Sequence, residues 1–199
     1  MSHLVADDMN SPHQDAMLRW YPMRIFHSSA KRQNALNELL SHEPTVESTY
    51  VPRNLVDAED MTYVPALVNY IFIRTSLGNL KQLKADKSRY EHLRYVINKD
   101  CDDTYAPTAE IAHVPDKQME HFMRVINEAN EQVIMLENME FACKPGQKVR
   151  IRKGPFEGIE GVVKSIKKHL CVVIPIQNVM AVAIVNVPKK HLMKIDDDE

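Results

Sequence analysis

The sequence predicts an α/β sandwich followed by a small all-β barrel. Strand-like and helix-like periodicities alternate up to about residue 137, whereas from Pro145-Gly146 onward only short β-branched runs recur. Within that second part, the run from Val149 to Val163 spaces Gly154, Gly158 and Gly161 through a turn between two such runs. Charge is divided along the same line. Lys144 to Ile195 carries 11 Lys/Arg against 2 acids (+9), Met1 to Cys143 carries 14 against 21 (−7), and the tail 196–199 adds −4, which returns the net −2.

Residues 1–16 mix Asp, Ser, Asn, Pro and His without periodicity and are expected to form a disordered extension. Arg19 to Phe26 reads as the first strand, limited on one side by Pro22, which cannot donate to a ladder. Ser28 or Ser29 caps a helix whose apolar stripe is Ala35, Leu36, Leu39 and Leu40, with Lys31, Arg32 and Asn34 facing solvent and Pro44 just beyond its end. Strands follow at Ser48 to Val51, Thr62 to Val64 and Leu67 to Arg74, then a short helix bearing Leu77, Leu80 and Leu83, then a strand from Leu93 to Ile97. Asn98 to Thr108 is a polar loop. Pro115 and Asp116 open the strongest helix, in which Met119, Phe122, Met123, Ile126, Val133 and Ile134 recur at helical spacing to about Leu136. Residues 138–144 are the expected linker.

The second part, 145–195, reads as five strands: Lys148 to Lys153, Gly161 to Ile166, Leu170 to Ile174, Val179 to Val187 and Leu192 to Ile195. The glycine-rich run is a tight hairpin with Phe156 as its apolar plug. It fails as a phosphate loop, because no helical pattern follows Gly161 and no Gly-Lys-Ser/Thr closes it.

Composition narrows the function classes. With 199 residues and 44% hydrophobic content, the chain is long enough for one large or two small globular domains with real cores. No apolar run approaches the roughly 18 residues that cross a bilayer, and the N-terminus lacks the basic start and apolar stretch of a signal peptide, so a cytoplasmic protein without a membrane partner is expected. Cys101, Cys143 and Cys171 are far apart and odd in number, which predicts free thiols and no zinc site. The nine histidines form no catalytic or metal pattern: His42-Glu43 lacks the second His of a zinc protease helix, no Gly-x-Ser-x-Gly occurs, and His113 and His121 have no matching Cys or Asp spacing. No enzyme and no cofactor is expected.

Four segments together resemble the NusG family of transcription elongation factors. Trp20-Tyr21 resembles the family's Trp-Tyr opening, and Leu67-Val68-Asn69-Tyr70-Ile71-Phe72-Ile73 its Phe-Pro-Gly-Tyr-Val-x-Val strand. Pro115-Asp116-Lys117 opens the last N-terminal helix as the family does, and Gly154, Pro155, Phe156, Gly158 and Gly161 match its KOW motif. Val68-Asn69 stands where the housekeeping factor has Pro-Gly, a departure shared with specialised paralogues that antiterminate long operons, including those for surface polysaccharide. The resemblance implies a ferredoxin-like NGN domain over 17–137 and an SH3-like KOW barrel over 145–195, in a protein that acts as a monomer.

It also implies sites. Tyr70, Phe72 and Leu67 match the apolar face that packs on the clamp helices of the largest RNA polymerase subunit, and Tyr95 is expected to extend that face; ordinary core is the alternative for these aromatics. Arg24, His27, Lys31 and Arg32 are expected to touch non-template DNA or else to form a solvated face. Ile176, Gln177 and Asn178 occupy the region that binds ribosomal protein S-ten or Rho in the family, although Gln177 replaces an aromatic common there. A ribosome-associated or general RNA-binding KOW protein and the Rho-recruiting housekeeping factor are the alternative readings. The basic part suggests an acidic partner such as RNA, the ribosome or the chain's own N-terminal half, with a plain solvated surface as the equal alternative. With short-range screening, weak contact between the halves is expected, and free tumbling is favoured over docking.

Overall fold

The computed structural model describes residues 16–57, 62–65, 69–98, 110–128, 133–136, 146–166, 168–176 and 179–195, with the side chains of 53–57, 62–65 and 135 excepted. Residues 1–15 of the expected N-terminal extension, the loop after Asn98, the linker 138–144, the acidic tail, Cys101, Cys143, Leu67, Gln177 and Asn178 lie outside these residues.

The first part is a four-stranded antiparallel sheet with helices on both faces. Its strands are β1 (Leu18–Ile25), β2 (Ser48–Tyr50), β5 (Tyr70–Ser76) and β6 (Leu93–Tyr95), in the order β2-β5-β1-β6. A separate hairpin pairs β3 (Arg53–Asp57) with β4 (Thr62–Pro65). Because side chains alternate, Tyr21, Met23 and Ile25 share a face with their cross-strand neighbours Ile71, Ile73 and Leu93. That face is closed by Leu36 and Leu40 of α1 (Ala30–Ser41), by Leu80 and Leu83 of α2 (Leu77–Ala85), and by Tyr90 of the one-turn α3 (Lys87–Tyr90). Ser29 caps α1 as expected, its hydroxyl accepting the Arg32 N–H at 3.2 Å. Pro22 limits pairing on one side, since the β6 ladder begins only at Met23.

The opposite face presents Trp20 and Phe72 to α4 (Asp116–Asn127), whose Met119, Phe122, Val125 and Ile126 are all buried. Here the structure corrects the sequence reading. The helix ends at Asn127 and does not run to Leu136. Val133–Leu136 instead form β7, which pairs antiparallel with β11 (Met180–Val185). Val133 and Ile134 fit helical spacing, but their β-branched side chains suit a strand equally well, and a strand partner some fifty residues ahead decides between the two.

The second part is all-β. Strands β8 (Lys148–Ile151), β9 (Glu160–Ile166), β10 (His169–Ile176), β11 and β12 (Leu192–Lys194) form with β7 a six-stranded sheet of order β12-β8-β9-β10-β11-β7, every pair antiparallel. The described residues thus form an α/β part followed by an all-β part. β10 and β11 are buried on both faces. Val172, Ile174, Met180, Val182 and Ile184 point into the cluster shared with α4, while Cys171, Val173, Ala181, Ala183 and Val185 form a second cluster with Leu136 and Ile166. Cys171 is a free thiol, pushed up by burial.

The glycine-rich turn is longer than a tight hairpin. It spans the eight residues between β8 and β9, closed by Gly158 N–H to Ile151 O at 2.7 Å and Ile159 N–H to Phe156 O at 3.1 Å. Gly154 (φ +105°) and Gly158 (φ +85°) occupy the left-handed region, and Phe156 is buried beneath them. Gly161 serves closeness of approach: a Cβ there would lie 2.6 Å from Val173 O and 2.8 Å from Val172 Cγ1. Neither backbone nor a β-branched side chain in a paired strand yields cheaply. We therefore expect Gly161→Ala to cost about 2 kcal/mol in urea unfolding, in the range of core overpacking. An unchanged midpoint would contradict this account of the β9–β10 contact.

Candidate functional site

Helix α4 is the hinge of the molecule's chemistry, because its two buried flanks pack on two different sheets. On one side Phe122 meets Phe72 of β5 at 5.6 Å between ring centroids and Tyr50 of β2 at 6.0 Å, edge-on. On the other side lie the inward residues of β10 and β11. One continuous apolar cluster runs from Trp20 and Phe72 through Met119, Phe122, Val125 and Ile126 to Val149, Phe156, Val172 and Ile174. The expectation of two freely tumbling parts is corrected here: the parts are docked, and apolar burial holds them.

Polar groups lock the rim of this seam. The Arg124 guanidinium donates from Nη1 to Glu157 O at 2.7 Å and from Nη2 to Pro155 O at 3.0 Å, so the helix grips the glycine-rich turn by its backbone. The Glu160 carboxylate receives Lys117 Nζ of α4 at 2.8 Å and Arg150 of β8 at 2.6 Å. Its backbone N–H donates to His121 Nδ1 at 3.4 Å. Arg124 and Glu160 were not singled out in the sequence; nothing local marks an arginine whose partners are carbonyls 31 and 33 residues away. Beside this lock, Pro115, Gln118, Val162, Ile174 and Ile195 line a cleft of about 340 Å³.

The expected site residues fall into three places. Tyr70 and Phe72 share the α4 face of the first sheet, with Tyr70 half-buried at its rim beside Arg24 and Phe72 fully buried. Burial raises the Tyr70 hydroxyl above the usual tyrosine range, against a smaller pull from Arg24. Tyr95 does not extend that face. It pairs with Met23 and packs in the cluster under α1 and α2, on the opposite side of the sheet.

Arg24, His27, Lys31 and Arg32 gather at the end of β1 and the start of α1. Arg32 Nη1 donates to His27 O, and the His27 ring lies 4.1 Å from that of Phe26, which is half exposed. Arg94 stacks on Phe26 at 5.4 Å from the ring. Phe26 and Arg94 complete a basic and aromatic edge that the sequence reading assembled only in part. In the second sheet, Ile176 is fully buried, in the same cluster as Phe156.

Among the described residues no group of three or more metal-ligating side chains converges, and no helix is long and apolar enough to cross a membrane. No family model and no curated protein matches this chain.

The seam carries titratable groups on both of its sides. Burial holds the His121 imidazole below its usual range; Lys117 and Arg124 act in the same direction, and Glu160 and Glu120 against it. As acceptor at Nδ1, His121 is neutral at that nitrogen when docked. Burial also opposes ionisation of Glu160, but its hydrogen bonds from Lys117 and Arg150 outweigh this and hold its carboxyl below the usual range. Both shifts have one sign, since the docked form binds fewer protons than the separated form. Their contribution to docking is therefore fully present above the ordinary imidazole pKa of about 6.5 and diminishes as pH falls below it, then further below the ordinary carboxylate range, while the apolar cluster remains. Hydrogen exchange at the Glu160 amide, corrected for intrinsic rate, is expected to be less protected at pH 5.5 than at 7.5. His121→Gln should flatten that difference, and protection independent of pH in the native chain would contradict the assignment.

Proposed function

We propose that this chain is a NusG-type transcription elongation and antitermination factor, with a ferredoxin-like NGN domain and an SH3-like KOW barrel, that binds the clamp helices of RNA polymerase and suppresses pausing on long operons. What carries the reading is the placement of Tyr70 and Phe72 on the α4-covered face of a β2-β5-β1-β6 sheet, in a chain that continues into an all-β unit bearing the Gly154-Pro155-Phe156 turn. Binding, not covalent chemistry, fits these residues.

On this reading the aromatic pair divides its labour. Tyr70, reachable at the rim, contacts the polymerase. Phe72, locked between Tyr50 and Phe122, keeps the face in shape. The docked second sheet narrows access to the face through its grip on α4, so a polymerase competes with the Arg124 and Glu160 seam for the same helix. The edge formed by Arg24, His27, Lys31 and Arg32 faces non-template DNA, where cations give salt-dependent affinity and Phe26 offers a base a stacking partner. S-ten or Rho contact at the second sheet is reserved for an undocked form, because Ile176 is core in the docked one.

Pull-down of core RNA polymerase separates these roles. Tyr70→Ala is expected to weaken capture by about 30-fold, corresponding to a hot spot of about 2 kcal/mol, with an unchanged circular dichroism spectrum. Phe72→Ala should instead lower stability by about 3–5 kcal/mol. If the wild-type protein captures ribosomes and no polymerase, the RNA-binding alternative replaces this reading.

A further inference from the structure

We propose that the cleft between α2, α3 and the edge strand β6 is a phosphate-binding site that takes the backbone of a single-stranded nucleic acid. Lys81, Lys84, Lys87 and Arg94 line it with Tyr95, enclosing about 580 Å³, and among the described residues Glu91 is the one carboxylate on its wall. Nothing in the polymerase contact or the Arg24 to Arg32 edge requires these lysines.

Two of these cations are held by neutral backbone carbonyls. Lys84 Nζ donates to Tyr90 O at 2.9 Å, and the Arg94 guanidinium donates to Leu93 O at 2.8 Å and to Glu91 O. Carbonyl partners fix these side chains in place without cancelling their charge, unlike carboxylates. Of the nearby acids, Glu43 binds Arg89 and the Tyr90 hydroxyl, Asp86 accepts the Ser88 and Arg89 amides at the start of α3, and Glu91 lies beside His92. Among the described residues the wall of the cleft carries Lys81, Lys84, Lys87 and Arg94 against Glu91, an excess of positive charge. Its cost is visible at Lys84, which burial together with Arg94 and Lys87 holds below the usual lysine range. An anion in the cleft relieves that repulsion.

Geometry favours a polymer over an isolated phosphate. Arg94 belongs both to this cleft and to the exposed ring of Phe26, which in turn touches His27, so one path leads from the lysines across the edge strand to an aromatic platform. Alternating cations and a stacking ring are what a single strand needs, phosphates on one and a base on the other.

The test uses the full chain without polymerase, so its outcome is independent of the clamp reading. Fluorescence anisotropy would follow a fluorescein-labelled dT12 at several salt concentrations, in parallel with calorimetry of inorganic pyrophosphate. The triple change Lys81→Gln, Lys84→Gln and Lys87→Gln, all outside the apolar cores, should weaken dT12 binding at least tenfold at 50 mM salt and reduce the slope of log K against log salt by about 2, at roughly 0.7 per phosphate contact. Phe26→Ala should weaken binding with the slope retained. Equal dT12 affinity in native and triple variants would overturn the proposal. Pyrophosphate bound as tightly as dT12, with no loss on Phe26→Ala, would overturn the polymer in favour of a free phosphate ligand.

Discussion

The joining of the two sheets depends on one amphipathic helix having two apolar flanks. A surface helix buries one stripe against one core. Helix α4 buries Met119, Phe122, Val125 and Ile126 in a cluster that includes residues of both sheets, so neither sheet has a separate core on that side. The parts are consequently joined by packing, which salt does not screen, and only the rim of the seam is ionic. Opposite net charges on the two halves favour the association only at close range, within roughly 8 Å at physiological salt, and are not what holds it.

That constraint redistributes roles among residues that look alike in the sequence. Phe72 and Tyr70 sit two apart on one strand face, yet one is sealed between Tyr50 and Phe122 and the other stands at the rim. The glycine-rich turn likewise has two duties. Its left-handed Gly154 and Gly158 let the chain turn over Phe156, and the carbonyls so presented, on Pro155 and Glu157, become the acceptors for Arg124. A turn is normally free at its tip; this one is bound from outside, which ties the geometry of the turn to the position of the helix.

Much of the architecture was legible because it is written locally. The Ser29 cap, the alternation along β1 and β5, the leucine stripe of α1 and the five C-terminal strands each follow from residue type and spacing within a dozen residues. The end of α4 was not legible, since Val133 and Ile134 satisfy both periodicities and the deciding partner is β11. Docking left a partial trace: residues 170–176 and Met180–Val185 are apolar on successive residues, the mark of strands covered on both faces, although nothing in them names what covers them. Tyr95 was misplaced for a simpler reason. A strand's own alternation says which residues share a face, but its register against β1 says which face that is.

The central claim is that the two sheets move as one body about α4. Backbone 15N relaxation on the full chain tests it most directly, comparing amides of β1 and β5 with those of β10 and β11 at pH 7.5 in 50 mM and 500 mM salt. The account predicts a single rotational correlation time for both sets, unchanged by salt, because apolar burial fixes the seam. Two distinct correlation times, or a common time that splits on adding salt, would contradict it.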